Sequence, residues 1–130
     1  MSYNRATMST DLYEQARQHI KEGDLATATD ELEQVTRLQP GNWRAFSHLG
    51  YAYAQTAKLE KAIGAFKRAV EINPGAANLR YNLGQAYELA GVPLEATYEY
   101  EEALRLDSGY QLAREALEQL HLRSRHDEEA

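Results

Sequence analysis

The chain lacks cysteine, long hydrophobic runs and an excess of basic residues. With no cysteine among its 130 residues, it can form no disulfide framework, no zinc–thiolate site and no thiolate nucleophile. No segment approaches the roughly 20 apolar residues that span a membrane, and residues 1–10 lack the apolar core of a signal peptide. These absences predict a cytoplasmic protein without membrane insertion.

Acidic residues outnumber basic ones by 20 to 14, which gives a formal net charge of −6. A field of that sign repels phosphate backbones and anionic headgroups, so a nucleic-acid partner is not expected. The length suits one domain with a core and is too short for two ordinary domains. A composition of 43% hydrophobic and 26% charged residues indicates a globular protein with a bias towards helix.

An internal repeat runs through the chain and predicts three repeats, over residues 9–42, 43–76 and 77–110. The first repeat aligns with the second, one period later: Ala16, Ala28, Leu32 and Val35 match Gly50, Ala62, Phe66 and Ala69. The pairs that recur at one constant period are Pro40 and Pro74, Leu49 and Leu83, Gly50 and Gly84, Tyr53 and Tyr87, Ala62 and Ala96, and Ala69 and Ala103.

Apolar residues spaced i, i+3, i+4 and i+7 predict two helices in each repeat. Breaks at Gly23, Ala57 and Gly91 separate the two helices of each repeat, and Pro40 and Pro74 separate one repeat from the next. The predicted start signals are Asn42 as an N-cap, Asp11 with Glu14 as a capping box, and Pro93 in a first helical turn.

A last helix is predicted over about residues 110–124. It carries Glu118 where the three repeats carry the small residues Ala16, Gly50 and Gly84. Because a carboxylate cannot pack against a following helix, this helix is expected to cap the stack and to face water. Residues 1–8 are expected to form a flexible N-terminus and residues 125–130 a flexible acidic tail.

These residues resemble the W-x₂-L-G-x₂-Y, A-x₃-F, P pattern of the tetratricopeptide repeat. In the second repeat Phe46 replaces the tryptophan, in the third Arg80 and Ser108 depart from the pattern, and in the first Gln15 and His19 do. The resemblance implies an all-α fold, an α-solenoid of three helix-turn-helix repeats with a capping helix, wound as a right-handed superhelix. It also implies that the first helix of each pair lines a concave groove that holds peptides.

The first helices present a face that points away from the apolar stripe, and we call it the first-helix face. Its tyrosines, arginines and amides are residue types that recognition surfaces favour. We expect the groove to be less acidic than the outer surface, where the second helix of the third repeat carries Glu95, Glu99, Glu101 and Glu102. The residues chosen as the peptide-binding groove are Tyr13, Arg17, Arg44, His48, Tyr51, Asn78, Tyr81, Asn82 and Gln85.

Two interpretations of this face stay open. The amides and arginines suit a ligand backbone and an acidic group, whereas the tyrosines also suit half-buried packing positions. Some members of the family clamp a chaperone carboxylate with Lys, Asn and Arg, but the matching positions here do not carry that set. They hold Tyr13, Arg17, His48, Asn78 and Asn82, so chaperone-tail binding is not expected.

No catalytic, cofactor or metal site is predicted. Glu118 and His121 have the i, i+3 spacing of di-iron bundles but lack the further carboxylates, and Ser47 and His48 diverge on a helix and cannot pair. His19 is interpreted as a packed residue rather than a pH switch. We predict a non-enzymatic adaptor that binds a partner peptide; the alternative is a scaffold that forms homo-oligomers through its terminal helices.

Overall fold

The computed structural model describes residues 4–129, in which seven α-helices and no strand occur. The helices are α1 (Arg5–Lys21), α2 (Leu25–Leu38), α3 (Trp43–Gln55), α4 (Leu59–Ile72), α5 (Ala77–Leu89), α6 (Pro93–Leu106) and α7 (Gln111–Glu129). The predicted all-α class and the repeated helix pairs are confirmed, since α1, α3 and α5 are first helices and α2, α4 and α6 second helices.

The chain divides into two compact units, the first ending at Pro74 and the second beginning at Gly75. In the first unit each helix packs on the next one from α1 to α4, and α1 also contacts α3. In the second unit α5 packs on α6 and α6 on α7. Each unit therefore contains complete helix pairs, and α7 covers the last of them.

At the start of three helices, the N-cap side chain accepts a hydrogen bond from a backbone amide of the first turn. Asn42 accepts a hydrogen bond from the amide of Ala45 at 3.0 Å, as predicted, and Asp24 accepts one from Thr27. The predicted capping box at Asp11 is wrong: α1 begins at Arg5, and its N-cap is Asn4, whose side chain accepts from the Thr7 amide at 2.9 Å. The cap at Asn4 satisfies a backbone donor at the true start of the helix, whereas Asp11 lies within the helix.

Both ends of the helical region extend beyond the predicted bounds. Residues 5–8, expected to be flexible, form the first turn of α1, and α7 continues to Glu129 rather than ending near Ser124. Residues 1–3 and 130 of the two predicted flexible termini lie outside the described residues. Glu118 is exposed, as expected for a helix that caps the last pair.

Close approach between paired helices depends on Gly50 and Gly84. A Cβ atom at Gly50 would lie 2.7 Å from the Phe66 ring, and one at Gly84 would lie 2.5 Å from the Tyr100 ring. Both aromatic side chains are buried, and no side chain at the glycine positions fits without displacing them. These contacts fix α3 against α4 and α5 against α6.

The turns inside the pairs place one residue each in the left-handed region. Gly23, Ala57 and Gly91 have φ values of 83°, 60° and 77°, and they occupy the same position in successive repeats. Glycine adopts this conformation without a steric penalty, whereas for alanine it costs roughly 1–2 kcal/mol. The second pair therefore carries a strained turn at Ala57.

Candidate functional site

In the first unit the first-helix face centres on Tyr13 of α1 and His48 of α3. The Tyr13 hydroxyl and His48 Nδ1 are 3.0 Å apart, and the two rings meet edge to face with centroids 5.6 Å apart. The sequence predicted both residues for the groove but not their contact, which rests on the packing of α1 against α3. The pair forms an aromatic centre on this face.

Both groups of this pair are uncharged near neutral pH. Burial lowers the pKa of His48 below its ordinary value and raises the pKa of Tyr13. His48 Nδ1 also lies 2.9 Å from the carbonyl oxygen of Arg44, one turn earlier in α3. The imidazole is thus fixed by two neighbours through the same nitrogen.

The two arginines of this face lie against aromatic rings. Arg44 Cζ is 4.4 Å from the centre of the Trp43 ring, and Arg17 Cζ is 5.9 Å from that of Tyr13. Arg17 also bonds Glu14 at 3.2 Å in an exposed pair, which contributes at most about 1 kcal/mol because solvent screens it. Both guanidinium groups are therefore accessible and can exchange partners.

Tyr51 completes the first unit's share of the predicted residues. It lies on α3 and its side chain is 46% exposed. With Arg17 and Arg44 also exposed and Tyr13 and His48 half-buried, all five predicted residues of this unit are accessible to a ligand. A large amphipathic ring and planar cations are the groups that commonly anchor protein interfaces.

In the second unit the predicted residues lie on α5 and are partly engaged by the protein itself. Tyr81 lies with its ring centre 5.7 Å from those of both Tyr100 and Tyr110. Its hydroxyl accepts a hydrogen bond from Gln85 Nε2 at 2.9 Å. The alternative packing interpretation therefore describes Tyr81, whereas Asn78 is exposed and Asn82 half-buried.

A buried ion pair in the second unit escaped the sequence interpretation. Glu99, assigned from the sequence to an acidic outer face, is only 6% exposed and accepts from Arg80 Nη1 at 3.0 and 3.4 Å. One feature signalled it, since Arg80 departs from the repeat pattern on the helix that precedes Glu99. The carboxylate is buried because it neutralises the arginine of the first helix.

Glu88 is a second polar junction of this unit. Its carboxylate accepts from the hydroxyl of Tyr100 and from Arg123 of α7. Burial and this hydrogen bond raise the pKa of Tyr100, so the tyrosine stays a donor. The junction therefore ties α7 to α5.

The first unit has a related pair, in which His19 Nδ1 lies 2.7 Å from Glu31 Oε1. The hydrogen bond to Glu31 raises the pKa of His19 above its ordinary value, and it outweighs the desolvation that lowers it. The half-buried position of His19 agrees with the packing interpretation.

Residues 4–129 contain no cluster of three or more histidine or carboxylate side chains that could hold a metal ion. Glu118 and His121 are both exposed on α7. Within the same residues, none of the helices combines the length and the apolar content needed to cross a membrane.

Comparisons with known proteins identify the fold. The family model described as tetratricopeptide repeat matches residues 13–77. Superkiller complex protein 3 of Mus musculus is 25% identical over 104 residues, which cover 80% of this chain and 7% of that protein. The chloroplastic tetratricopeptide repeat domain-containing protein PYG7 of Arabidopsis thaliana is 29% identical over 110 residues, which cover 82% of this chain and 36% of that protein.

A solved structure gives the same fold. The first tetratricopeptide domain of Spaghetti (RPAP3), bound to the HSP90 peptide SRMEEVD, matches with a TM-score of 0.83 and 22% identity, covering 88% of this chain and 91% of that chain. The helix pairs, the small residues between paired helices and the matched family model agree. The chain belongs to the tetratricopeptide repeat family, and its fold is of the α-solenoid class.

Proposed function

We propose that this chain binds a peptide segment of a partner protein through the first-helix face and that it acts as an adaptor. The observation that carries the proposal is the accessible cluster on α1 and α3 of the first unit. Tyr13, His48 and Tyr51 offer amphipathic rings there, and Arg17 and Arg44 offer guanidinium groups. These groups bind peptides by stacking and by charge-assisted hydrogen bonds.

The peptide is expected to differ from a chaperone tail. The Spaghetti domain is bound to the HSP90 peptide SRMEEVD, but the positions that match the family's carboxylate clamp do not carry its residues here. Asn78 and Asn82 supply amides instead of cations, and His48 is uncharged because burial lowers its pKa. The peptide SRMEEVD therefore serves as the negative probe.

The test begins with a displayed peptide library selected on the immobilised full chain. Fluorescence anisotropy then measures the selected peptides, for which we expect dissociation constants on the micromolar scale, about 8 kcal/mol of binding free energy. A triple variant, Arg17→Ala, Arg44→Ala and Tyr51→Ala, should weaken binding at least tenfold with unchanged helicity by circular dichroism.

The matched control replaces three exposed residues of the second helices, Gln34→Ala, Glu60→Ala and Glu101→Ala. This control should bind the selected peptides as the unmodified chain does. Equal binding by the first-helix triple variant, or a loss confined to the control, would show that the peptide uses another surface.

A second candidate is a scaffold that self-assembles through its terminal helices. Leu112 and Leu122 of α7 are 51% and 53% exposed, and exposed leucines favour association because their burial releases water. Light scattering across a range of concentrations tests it, since a monomer at every concentration removes this candidate. Cytoplasmic localisation and the absence of enzymatic activity, cofactor and nucleic-acid partner stay predictions.

A further inference from the structure

A groove opens between α6 and α7 of the second unit, and Glu88 of α5 also lines it. Its volume is 520 Å³, and its lining includes Pro93, Leu94 and Thr97 of α6 and Leu120, Ser124 and Asp127 of α7. We call it the α6–α7 groove. Leu120 is 8% exposed, whereas Leu94 is 82% exposed, so the groove has an apolar base and an open apolar wall.

The groove exists because the apolar stripe of α7 ends before the helix does. Ala113, Ala116, Leu117 and Leu120 pack in the apolar cluster of this unit. The same helical face continues one and two turns later with Ser124 and Asp127, which are polar and exposed. The last turns of α7 therefore stand beside α6 without burying it.

The Arg123–Glu88 ion pair keeps this part of α7 in place. Arg123 reaches from α7 to Glu88 of α5, and Glu88 also accepts from the buried Tyr100. Arg123 lines the groove, but its charge is matched by that carboxylate. These contacts hold the α7 wall of the groove in place.

The net charge of the molecule lies in the unit that contains this groove. The first unit contains nine basic and nine acidic residues, whereas the second contains five basic and eleven acidic, so the second unit carries the whole net charge of −6. It also holds five of the seven large apolar side chains that are exposed among the described residues, which are Leu89, Leu94, Tyr98, Leu112 and Leu122. Its surface is therefore acidic with isolated apolar sites.

We propose that the α6–α7 groove binds a basic amphipathic helix of a partner protein. The apolar side chains of that helix cover Leu94 and Leu120, because helices with i, i+3 and i+7 anchors fill grooves between two other helices. Its lysines and arginines meet Asp127 in the groove and the net negative charge of the unit around it, and this charge complementarity selects against acidic helices. None of the residues chosen as the peptide-binding groove lines the α6–α7 groove.

Two designed peptides test the proposal on the full chain. Both are fluorescein-labelled helices of about five turns with the same leucine spacing, and one carries lysine and the other glutamate at every polar position. Anisotropy should show binding of the leucine–lysine peptide, weakened at least tenfold at high salt because salt screens the charges. The leucine–glutamate peptide should not bind.

Variants locate the site. Leu94→Ser and Ser124→Lys each should weaken the leucine–lysine peptide at least fivefold, the first by removing the apolar wall and the second by placing a cation in the groove. Both residues are exposed, so melting should be unchanged. Leu112→Ser, an exposed leucine outside the groove, is the matched control and should bind as the unmodified chain does.

Three outcomes overturn the proposal. The first is equal binding of the leucine–lysine peptide by Leu94→Ser and Ser124→Lys, and the second is equal affinity for the glutamate peptide. The third is a dimer in light scattering that Leu94→Ser dissociates, since a second copy of the chain would then occupy the groove.

Discussion

The two units use different chemistry at two equivalent positions inside a helix pair. In the first unit Phe46 and Ala65 lie where the second unit, one repeat later, has Arg80 and Glu99. Ala65 is 7% exposed and Glu99 is 6% exposed, so burial at this position is the same in both units. The comparison teaches that the repeat accepts a charged residue inside a helix pair when the facing helix supplies its counter-ion.

The aromatic residues that pack against the glycines also differ between the two units. Phe66 packs against Gly50 in the first unit, and Tyr100 packs against Gly84 in the second. The extra hydroxyl of Tyr100 is buried, and Glu88 accepts its hydrogen bond. The buried hydroxyl of Tyr100 thus has a hydrogen-bond acceptor, because an unpaired buried hydroxyl costs roughly 1–3 kcal/mol.

The largest expected effect comes from breaking the ion pair of the second unit. Glu99→Ala alone should lower the free energy of unfolding by about 3 kcal/mol, because it leaves Arg80 in a mostly buried site without its counter-ion. The double variant Arg80→Phe with Glu99→Ala copies the first unit and should recover most of the loss. Urea denaturation measures all three proteins. A double variant as unstable as Glu99→Ala would refute the equivalence of the two positions.

The glycine contacts offer a test of intermediate size. Gly50→Ala should lower the free energy of unfolding by about 2 kcal/mol, because the new Cβ overlaps the Phe66 ring. Adding Phe66→Leu copies the Ala16 and Leu32 combination of the first pair and should restore part of the stability. Thermal melting followed by circular dichroism gives the comparison. No recovery in the double variant would mean that the ring is not the cause.

The turns inside the helix pairs allow a substitution that is expected to stabilise the protein. Ala57→Gly should raise the free energy of unfolding by about 1 kcal/mol, because it removes the strain of a positive φ. Gly23→Ala and Gly91→Ala are the matched reversals and should each be destabilising. Denaturant midpoints report the result, and a destabilised Ala57→Gly protein would contradict the proposed strain.

The smallest effect concerns pH, and it belongs to the first unit. The pKa of His19 is raised by Glu31, so its stabilisation is fully present below about pH 6.5 and is lost as pH rises through the folded-state pKa. The pKa of His48 is lowered by burial, so its contribution is present above about pH 6.5 and is lost as pH falls through the folded-state pKa.

The stability contributions of His19 and His48 therefore change in opposite directions with pH. Relative to His19→Gln, the unmodified protein should be more stable at pH 5.5 than at pH 8, and relative to His48→Gln it should be more stable at pH 8. Urea midpoints at both pH values provide the measurement. Equal differences at the two pH values for either variant would contradict the assigned contact.

Much of the fold was predictable because its signals are local. The repeat period, the Asn42 cap, Pro93 at the first position of α6 and the exposed Glu118 all follow from spacing along the chain, and the structure has each of them. The start of α1 was not predicted correctly. Asn4 with Thr7 and Asp11 with Glu14 are both N-cap signals, and no apolar stripe distinguishes them in the exposed first turns.

The site was less predictable because its decisive contacts join different helices. Periodicity placed Tyr13, His48 and Tyr81 on the first helices, but it does not report which rings meet. Tyr13 pairs with a residue of the next first helix, and Tyr81 packs against Tyr100 and Tyr110. The buried Glu99 was assigned to an outer face for the same reason, since its partner lies on the preceding helix.

Amide chemical shifts show whether the first helices carry the peptide-binding face. A selected peptide is titrated into ¹⁵N-labelled full chain, and the shifted amides are mapped onto the helices. We predict that the largest changes fall on α1 and α3, around Arg17 and Tyr51. Changes confined to α2, α4 and α6 would contradict it.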